Sequence, residues 1–223
     1  MAIITVISFK GGVGKSIVSQ NLAVYYAKQD KEVCIIDADP NKSSTLWHSV
    51  RPDECKPVDV YHVPKGGDLI KTINSVSRNY EIIIVDCPPA IEKLTSSAVA
   101  KSDLSLIPVS TTGGSDMWAT KEFLEHLVLL RARLNTPLPT YFVINKFEKN
   151  VKLHQAYADV IDEYCEDYNV QDLAARLAKR TAYGEANAQG IGVLEWENKK
   201  AKEEVLALGQ EITQILETTP QGV

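Results

Sequence analysis

Apolar runs and helical patterns alternate along almost the whole chain. Continuous apolar runs, typical of strands covered on both faces, occur at residues 3–8, 33–38, 81–86, 104–109 and 140–145. The segments between and after them predict helices at residues 15–29, 66–79, 91–101, 115–134, 151–167 and 197–217. A short run at 58–63 is a candidate further strand. This repeated βα order predicts an α/β fold in one domain, 1–223, with a mostly parallel central sheet and helices on both faces.

Composition narrows the class of protein. Of 223 residues, 44% are hydrophobic and 24% are charged, a balance typical of globular chains. No run approaches the ~18–20 apolar residues of a membrane span, and the N-terminal apolar stretch lacks the features of a signal peptide. We therefore expect a cytoplasmic protein. The net charge of −5 excludes a uniformly basic nucleic-acid binder but not a local basic surface. The four cysteines form no C-x-x-C pair, which gives no support to a zinc ribbon or a redox pair.

A glycine-rich loop follows the first predicted strand. Residues 9–16 read FKGGVGKS, and the strict G-x-x-x-x-G-K-[ST] motif fails because Phe9 stands at its first glycine. The glycines still allow a tight turn that directs N–H groups at phosphate oxygens, and the helix beginning at Lys15 adds its positive dipole end. Lys15 supplies a charge for the β- and γ-phosphates, and Ser16 offers a hydroxyl to Mg²⁺. The alternative is a glycine-rich turn that binds no ligand.

A second lysine, Lys10, precedes the glycines, so the segment reads K-G-G-x-G-K-[ST]. With this deviant Walker A motif the chain resembles the ParA/MinD superfamily of P-loop ATPases, over essentially its whole length. The resemblance implies a P-loop NTPase fold, ATP and Mg²⁺ as cofactors, and an ATP-dependent homodimer. In that dimer Lys10 would reach the phosphates of the other subunit and stabilise charge on the transferring phosphoryl group. The family usually has a second hydroxyl residue where this chain has Ile17, which offers only its backbone N–H.

Acidic residues end two later predicted strands. Asp37 and Asp39 lie in D-A-D-P, and Asp86 follows the apolar residues of I-I-I-V-D-C-P-P, a Walker B pattern. Carboxylates at the carboxyl ends of strands face the ligand crevice of an open α/β sheet, where a bound Mg²⁺ or an attacking water would explain them. By resemblance to the family, Asp39 orients the hydrolytic water and Asp37 supports the hydrated Mg²⁺. Asp86 is expected to hold Mg²⁺ through water.

Asn145 ends another predicted strand, and in the family the asparagine at this place contacts adenine. A guanine-reading N-K-x-D motif would need aspartate where this chain has Glu148, which favours ATP. The alternative for Asn145 is an ordinary turn residue. The residues expected to contact the nucleotide are Lys10, Gly11, Gly12, Val13, Gly14, Lys15, Ser16, Ile17 and Asn145, with Lys10, Lys15 and Asp39 catalytic and Ser16, Asp37 and Asp86 at the metal.

Three features separate the branches of this superfamily. MinD-like proteins end in a basic amphipathic helix, whereas residues 203–223 contain four glutamates and neither Lys nor Arg, so we expect no membrane binding there. The cysteine spacing does not support the branch of nitrogenase iron proteins and cluster carriers. The biosynthetic amidotransferase and synthetase relatives generally lack the first lysine of the motif, so Lys10 argues against them. The chain most resembles a short ParA-type partition ATPase without an N-terminal helix-turn-helix domain.

A ParA-type ATPase would bind double-stranded DNA without sequence preference, by contacts with the phosphates of the DNA backbone. Residues 176–202 hold six basic side chains and three glutamates, a net of +3; solvated surface is the alternative. The resemblance implies a nucleoid-associated ATPase, weak alone and stimulated by its partners, that segregates plasmid or chromosomal DNA through a small centromere-binding adaptor. The alternatives are an ATPase that positions a protein cargo, such as a chemoreceptor cluster or microcompartment, and, less favoured, a MinD-like membrane-associated ATPase. The candidate DNA-binding residues are Arg176, Lys179, Arg180, Lys199, Lys200 and Lys202.

Overall fold

Strands and helices alternate along the chain in the computed structural model, which describes residues 1–63, 65–89, 93–110, 114–135 and 138–218. The strands are Ala2–Val6 (β1), Val33–Asp37 (β2), Asp59–His62 (β3), Ile82–Asp86 (β4), Leu104–Ser110 (β5), Thr140–Phe147 (β6) and Gln171–Ala178 (β7). The helices are Lys15–Ala27 (α1), Ser43–Ser49 (α2), Gly66–Val76 (α3), Lys93–Val99 (α4), Gly114–Leu134 (α5), Lys152–Tyr168 (α6), Thr181–Ala188 (α7) and Lys199–Thr218 (α8), with a 3-10 turn at Val193–Glu195.

All seven strands join one sheet in the order β3-β2-β4-β1-β5-β6-β7. Each pair of neighbours is parallel, so the carboxyl ends of all the strands meet at one edge. The register aligns Ile4 with Ile84 on β4, and Ile84 with Ile35 on β2. The predicted α/β fold is confirmed, and the candidate strand at 58–63 is β3.

Helices cover both faces of the sheet because successive strand residues point to opposite sides. Ile4 and Ile84 pack with buried residues of α1, α7 and α8 in one hydrophobic cluster. Ile3 and Ile83, their immediate neighbours in sequence, pack with α3, α5 and α6 in a second cluster. This double burial explains why the strands read as unbroken apolar runs.

Two helices, α2 and α7, and the strand β7 are not predicted from the sequence. The strand β7 reads QDLAARLA, which contains no β-branched or aromatic residue and lies at the edge of the sheet. Its buried residues alternate with exposed or half-buried ones, because one face, with Leu173, Ala175 and Leu177, packs in the cluster with α8 while the opposite face is only partly covered. Residues 91 and 92 of the predicted helix 91–101, and residues 219–223 of the acidic terminus, lie outside the described residues.

The last helix, α8, packs against α1 on one side of the sheet. The α1 helix is buried along most of its length, since it packs on the central strands of the sheet and is flanked by α2 and α8. The approach is closest at Gly209, where a β-carbon would lie 2.5 Å from ring atoms of Tyr25. Glycine is therefore required at this point of α8 by the neighbouring ring, although it is an unfavourable residue in a helix.

We expect Gly209→Ala to destabilise the protein by about 1–3 kcal/mol, because the added methyl group must displace the buried Tyr25 ring. The matched control is Gly184→Ala in α7, where a β-carbon meets no atom within 4 Å. That change should stabilise the protein by about 0.5–1 kcal/mol. Urea unfolding of both variants without nucleotide measures the two effects, and equal changes of the same sign would contradict this packing.

Candidate functional site

The glycine loop joins β1 to α1 at the carboxyl edge of the sheet. Gly12 and Gly14 have φ angles of 78° and 99°, a region that favours glycine. A β-carbon at Gly14 would also lie 2.0 Å from Nδ2 of Asn145. Gly14 directly precedes α1 and has no side chain with which to cap it. The N–H groups of the first turn are therefore left for an anionic ligand.

Lys15 lies folded into the loop and is only 6% exposed. Its Nζ donates to the carbonyl oxygen of Lys10 at 3.1 Å and to the hydroxyl of Ser8 at 3.4 Å. Burial lowers the pKa of Lys15, and the nearby carboxylates of Asp86 and Asp39 oppose that shift. The ammonium group is thus already inside the loop that is predicted to surround the phosphates.

Asp37 and Asp86 are register partners on the adjacent strands β2 and β4, and both are completely buried. Asp37 Oδ2 accepts hydrogen bonds from both the backbone N and the Oγ1 of Thr45, each at 2.8 Å. Its Oδ1 accepts from the backbone N of Asp39 at 3.2 Å. Asp39 is 7% exposed, and its Oδ1 accepts from the backbone N of Asn41 at 2.8 Å. The three predicted carboxylates therefore lie together beside the loop.

Asp86 has one satisfied and one unsatisfied oxygen. Ser44 Oγ donates to its Oδ2 at 2.8 Å, while Oδ1 is buried and has no hydrogen-bond partner. Burial raises the pKa of Asp86 to about 7, against the hydroxyls of Ser44 and Ser16 and the charge of Lys15, which lower it. An orphaned carboxylate oxygen near a serine hydroxyl fits Mg²⁺, which takes one or two carboxylates together with substrate phosphates and water. Across the described ranges there is no cluster of three His, Cys, Asp or Glu side chains that could hold a metal alone.

Asn145 and Lys146 join the end of β6 to the loop. Asn145 is 5% exposed, its Nδ2 donates to the Val13 carbonyl at 2.8 Å, and its Oδ1 accepts from the backbone N of Lys146 at 2.8 Å. Lys146 Nζ donates to the Gly12 carbonyl at 2.7 Å. Asn145 therefore braces the loop, while its contact with adenine stays a prediction. Lys146 is not among the residues predicted from the sequence, although its position next to Asn145 at the end of a strand could have indicated it.

A cavity of about 550 Å³ opens above the loop. Its lining combines predicted residues with an unpredicted wall formed by the end of β7 and the start of α7. Glu204 of α8 holds this wall: it accepts from Arg180 Nε at 2.9 Å and Nη2 at 2.6 Å, and from the Tyr183 hydroxyl at 2.8 Å. The lining residues are Gly11, Gly12, Gly14, Lys15, Ser16, Ile17, Asp39, Asn41, Ser43, Pro89, Asn145, Lys146, Ala178, Lys179, Arg180, Tyr183 and Gly184.

The six basic residues predicted to bind DNA fall into two groups. Lys179 and Arg180 line the cavity, and Arg176 lies on the strand β7, where it forms an ion pair with Asp172. The remaining three lie in the first turns of α8, where Lys199 and Lys200 are exposed and Lys202 is half-buried. Arg176 and Arg180 are held by carboxylates in partly buried pairs, and Lys179 lies in the cavity wall. Lys199 also lies 3.9 Å from a carboxylate oxygen of Glu203, but its side chain is 90% exposed, so the α8 lysines remain as the candidate DNA-binding residues.

Comparison with known proteins places this geometry in context. Residues 4–193 match the family model described as the CobQ/CobB/MinD/ParA nucleotide binding domain. The chromosome-partitioning ATPase Soj of Thermus thermophilus is 28% identical over 127 residues, which cover 45% of this chain and only 51% of Soj. The maintenance of carboxysome distribution protein A of Gloeobacter kilaueensis is 23% identical over 201 residues, 90% of this chain and 88% of that protein.

The fold has close structural counterparts. The septum site-determining protein MinD from Pyrococcus horikoshii, solved in complex with Mg-ADP, superposes with a TM-score of 0.74 at 18% identity. The superposition covers 99% of this chain and 99% of that one. At this level of identity the similarity establishes the fold.

We expect Lys15→Ala to weaken ATP binding by at least about tenfold, because a charged hydrogen bond to phosphate is worth about 1.5–3 kcal/mol. Lys71→Ala is the matched control, since Lys71 lies on α3 with an 82% exposed side chain. Binding of a fluorescent ATP analogue measures both. A Lys15→Ala variant that binds ATP within about threefold of the parent, ~0.65 kcal/mol, would contradict the assignment of the loop.

Proposed function

The chain belongs to the CobQ/CobB/MinD/ParA family of nucleotide-binding domains, and from this membership we propose that it is a ParA-type ATPase that partitions DNA. The observation that carries the proposal is the convergence of one cation and three carboxylates. Lys15, at the loop after β1, lies near Asp39 and Asp86, and Asp86 is in turn the register partner of Asp37 on the adjacent strand β2. A triphosphate with Mg²⁺ matches this combination of charges.

Each polar group of the site has a role in hydrolysis. Lys15 and the N–H groups of the glycine loop bind the β- and γ-phosphates. Asp39, at the margin of the cavity, orients the attacking water and accepts its proton. Bound Mg²⁺ would neutralise charge on the phosphate oxygens, with Ser16, Asp37 and Asp86 as the residues that hold it directly or through water.

Lys10 acts across a dimer in this proposal. Gly11 and Gly12 are exposed, and Lys10 is half-buried at the same rim of the loop. Two copies that face each other across their loops would bring each lysine to the other's phosphates. There the second ammonium group stabilises the charge of the transferring phosphoryl group, as an arginine finger does. Hydrolysis is then slow in the monomer and requires ATP-dependent dimerisation.

The DNA-binding surface is assigned to the start of α8. Lys199, Lys200 and Lys202 lie within its first turns, where the positive end of the helix dipole adds to their charge. Glu204 lies on the same helix and holds Arg180 and Tyr183 in the wall of the cavity. The DNA contact therefore lies close to the nucleotide, at the same edge of the sheet. A nucleoid location and a small adaptor protein complete the proposal.

A protein cargo is the second candidate function. The carboxysome distribution protein is similar over 90% of this chain, a longer match than that with Soj. A cargo-positioning ATPase would use the same nucleotide cycle and DNA surface, and would differ only in its adaptor. Residues 203–223 contain four glutamates and neither Lys nor Arg, so this segment itself offers no basic face to an anionic membrane. In the part of the chain that the structure describes, no helix is long and apolar enough to cross a membrane.

We expect Asp39→Ala to lower ATP hydrolysis by at least about 100-fold, because it removes the group that orients and deprotonates water. The variant should still bind ATP and should accumulate as a dimer, measured by size-exclusion chromatography with ATP and Mg²⁺. Asp39→Asn is the control for local structure, since its side-chain oxygen can still accept from Asn41 N. Normal hydrolysis, or a monomer saturated with ATP, would contradict the role of Asp39.

We expect DNA binding to require ATP, to ignore sequence and to weaken with salt, since each phosphate contact releases counterions. Reversing Lys199, Lys200 and Lys202 to Glu should lower DNA affinity by at least about tenfold and spare ATP binding. The matched control reverses three lysines on the other face of the sheet, Lys71, Lys101 and Lys121, for the same change of net charge. Electrophoretic shifts with ATP, with ADP and without nucleotide at two salt concentrations test this. Equal binding in all three states would contradict a nucleotide switch.

A further inference from the structure

A chain of three hydrogen bonds runs from α7 through α1 and α2 to Asp86. Asn187 Nδ2 on α7 donates to Gln20 Oε1 at 2.6 Å. Gln20 Nε2 on α1 donates to Ser44 Oγ at 3.3 Å, and Ser44 Oγ on α2 donates to Asp86 Oδ2 at 2.8 Å. Side chains from three helices that are separate in sequence thus form one chain of hydrogen bonds, which ends on the carboxylate of Asp86.

The hydrogens of this chain all point towards Asp86. An amide NH₂ group can only donate, so the contact from Gln20 leaves the hydroxyl hydrogen of Ser44 for Asp86. Gln20 is 2% exposed and Ser44 is completely buried, so water is a poor substitute for either partner. Successive bonds aligned in this way polarise and strengthen one another.

The two carboxylate oxygens of Asp86 have different surroundings. Oδ2 is held by Ser44, whereas Oδ1 is buried without a hydrogen-bond partner. A carboxylate held on one side can present its other oxygen in a fixed direction, and a buried unsatisfied acceptor binds strongly to a cation or to the water that the cation holds. The nucleotide motifs do not predict this difference between Oδ1 and Oδ2, because Ser44 and Gln20 lie outside them.

We propose that Ser44 and Gln20 are positioning residues for Mg²⁺: they fix the Asp86 side chain so that its free oxygen faces the metal ion that accompanies the nucleotide. The inference rests on the proposed nucleotide site and adds two residues to it. Asn187 extends the effect to α7, the helix that carries Tyr183 in the wall of the cavity. The proposed Mg²⁺ side and the opposite wall of the cavity are thereby joined through this chain and the helix α7.

The test is the Mg²⁺ dependence of nucleotide binding, which needs no catalysis. A fluorescent ADP analogue is titrated with the full chain in EDTA and then at increasing Mg²⁺. Ser44→Ala should raise the Mg²⁺ concentration at half-saturation by about tenfold or more, as is usual when a partner of a metal ligand is lost. Its affinity for the analogue in EDTA should stay within about twofold of the parent.

Two further variants keep the test decisive if Ser44→Ala folds poorly. Gln20→Met keeps the length of the side chain and its neutral charge but donates no hydrogen bond, so it should shift the Mg²⁺ requirement in the same direction by a smaller factor. Ser49→Ala is the matched control on α2, since its hydroxyl only donates to the Leu46 carbonyl at 2.7 Å. It should leave the Mg²⁺ requirement unchanged.

The outcomes separate this inference from the function beneath it. The inference is overturned if Ser44→Ala and Gln20→Met both match Ser49→Ala, or if they weaken binding equally with and without Mg²⁺. The latter result would show a general structural loss. If the parent itself binds no ADP analogue, the proposed nucleotide site is wrong. A selective rise in the Mg²⁺ requirement that is larger for Ser44→Ala than for Gln20→Met supports the positioning role of Ser44 and Gln20.

Discussion

The structure at the carboxyl edge of the sheet depends on how two carboxylates, buried side by side, are stabilised. Asp37 and Asp86 are opposed on parallel strands and are completely buried, an arrangement that costs free energy unless both are hydrogen-bonded or neutralised. Ser44 and Thr45 of α2 supply the hydrogen bonds, and Lys15 supplies a positive charge. The cost is thus offset locally, by one short helix and one lysine. The oxygen of Asp86 that remains unsatisfied is the place where a ligand would contribute most.

The position of α2 is fixed by contacts far away in sequence. Arg51, just after the helix, forms an ion pair with Glu195 at 2.8 Å in which both side chains are at most 9% exposed. Trp47 Nε1 donates to the carbonyl of Ile191 at 3.3 Å, and the guanidinium of Arg51 lies 5.1 Å from the centre of the indole ring. A seven-residue helix has little stability of its own. The Ser44 and Thr45 hydroxyls of α2 can therefore bind the carboxylates because contacts with Ile191 and Glu195, in the segment after α7, fix the position of α2.

The sequence predicts those parts of the fold and site that depend on local patterns. Buried strands rich in Ile and Val, long helices and the K-G-G-x-G-K-S loop were all recognisable, and the loop and three carboxylates are brought together as expected. The strand β7 was missed because its helix-forming residues adopt an extended form only beside β6. Lys146 and Ser44 were missed because their roles depend on distant partners. Charge counting likewise could not show that Arg176 and Arg180 are already paired with Asp172 and Glu204.

Glu204 gives the molecule a direct mechanical connection between its cavity and its last helix. Its carboxylate accepts from Arg180 and Tyr183 in the cavity wall and from the backbone N of Ala178 at the end of β7. Lys199, Lys200 and Lys202 precede it within about one turn of the same helix. A ligand that displaces the wall must therefore move the start of α8 or break several charged hydrogen bonds. Coupling requires that the nucleotide bind the two positions of the wall with different affinity. Asn187, at the other end of α7 from Tyr183, begins the hydrogen-bonded chain through Gln20 and Ser44 to Asp86. In the proposed function, α7 would therefore join the Mg²⁺ side of the cavity, through Tyr183 and Glu204, to the basic end of α8.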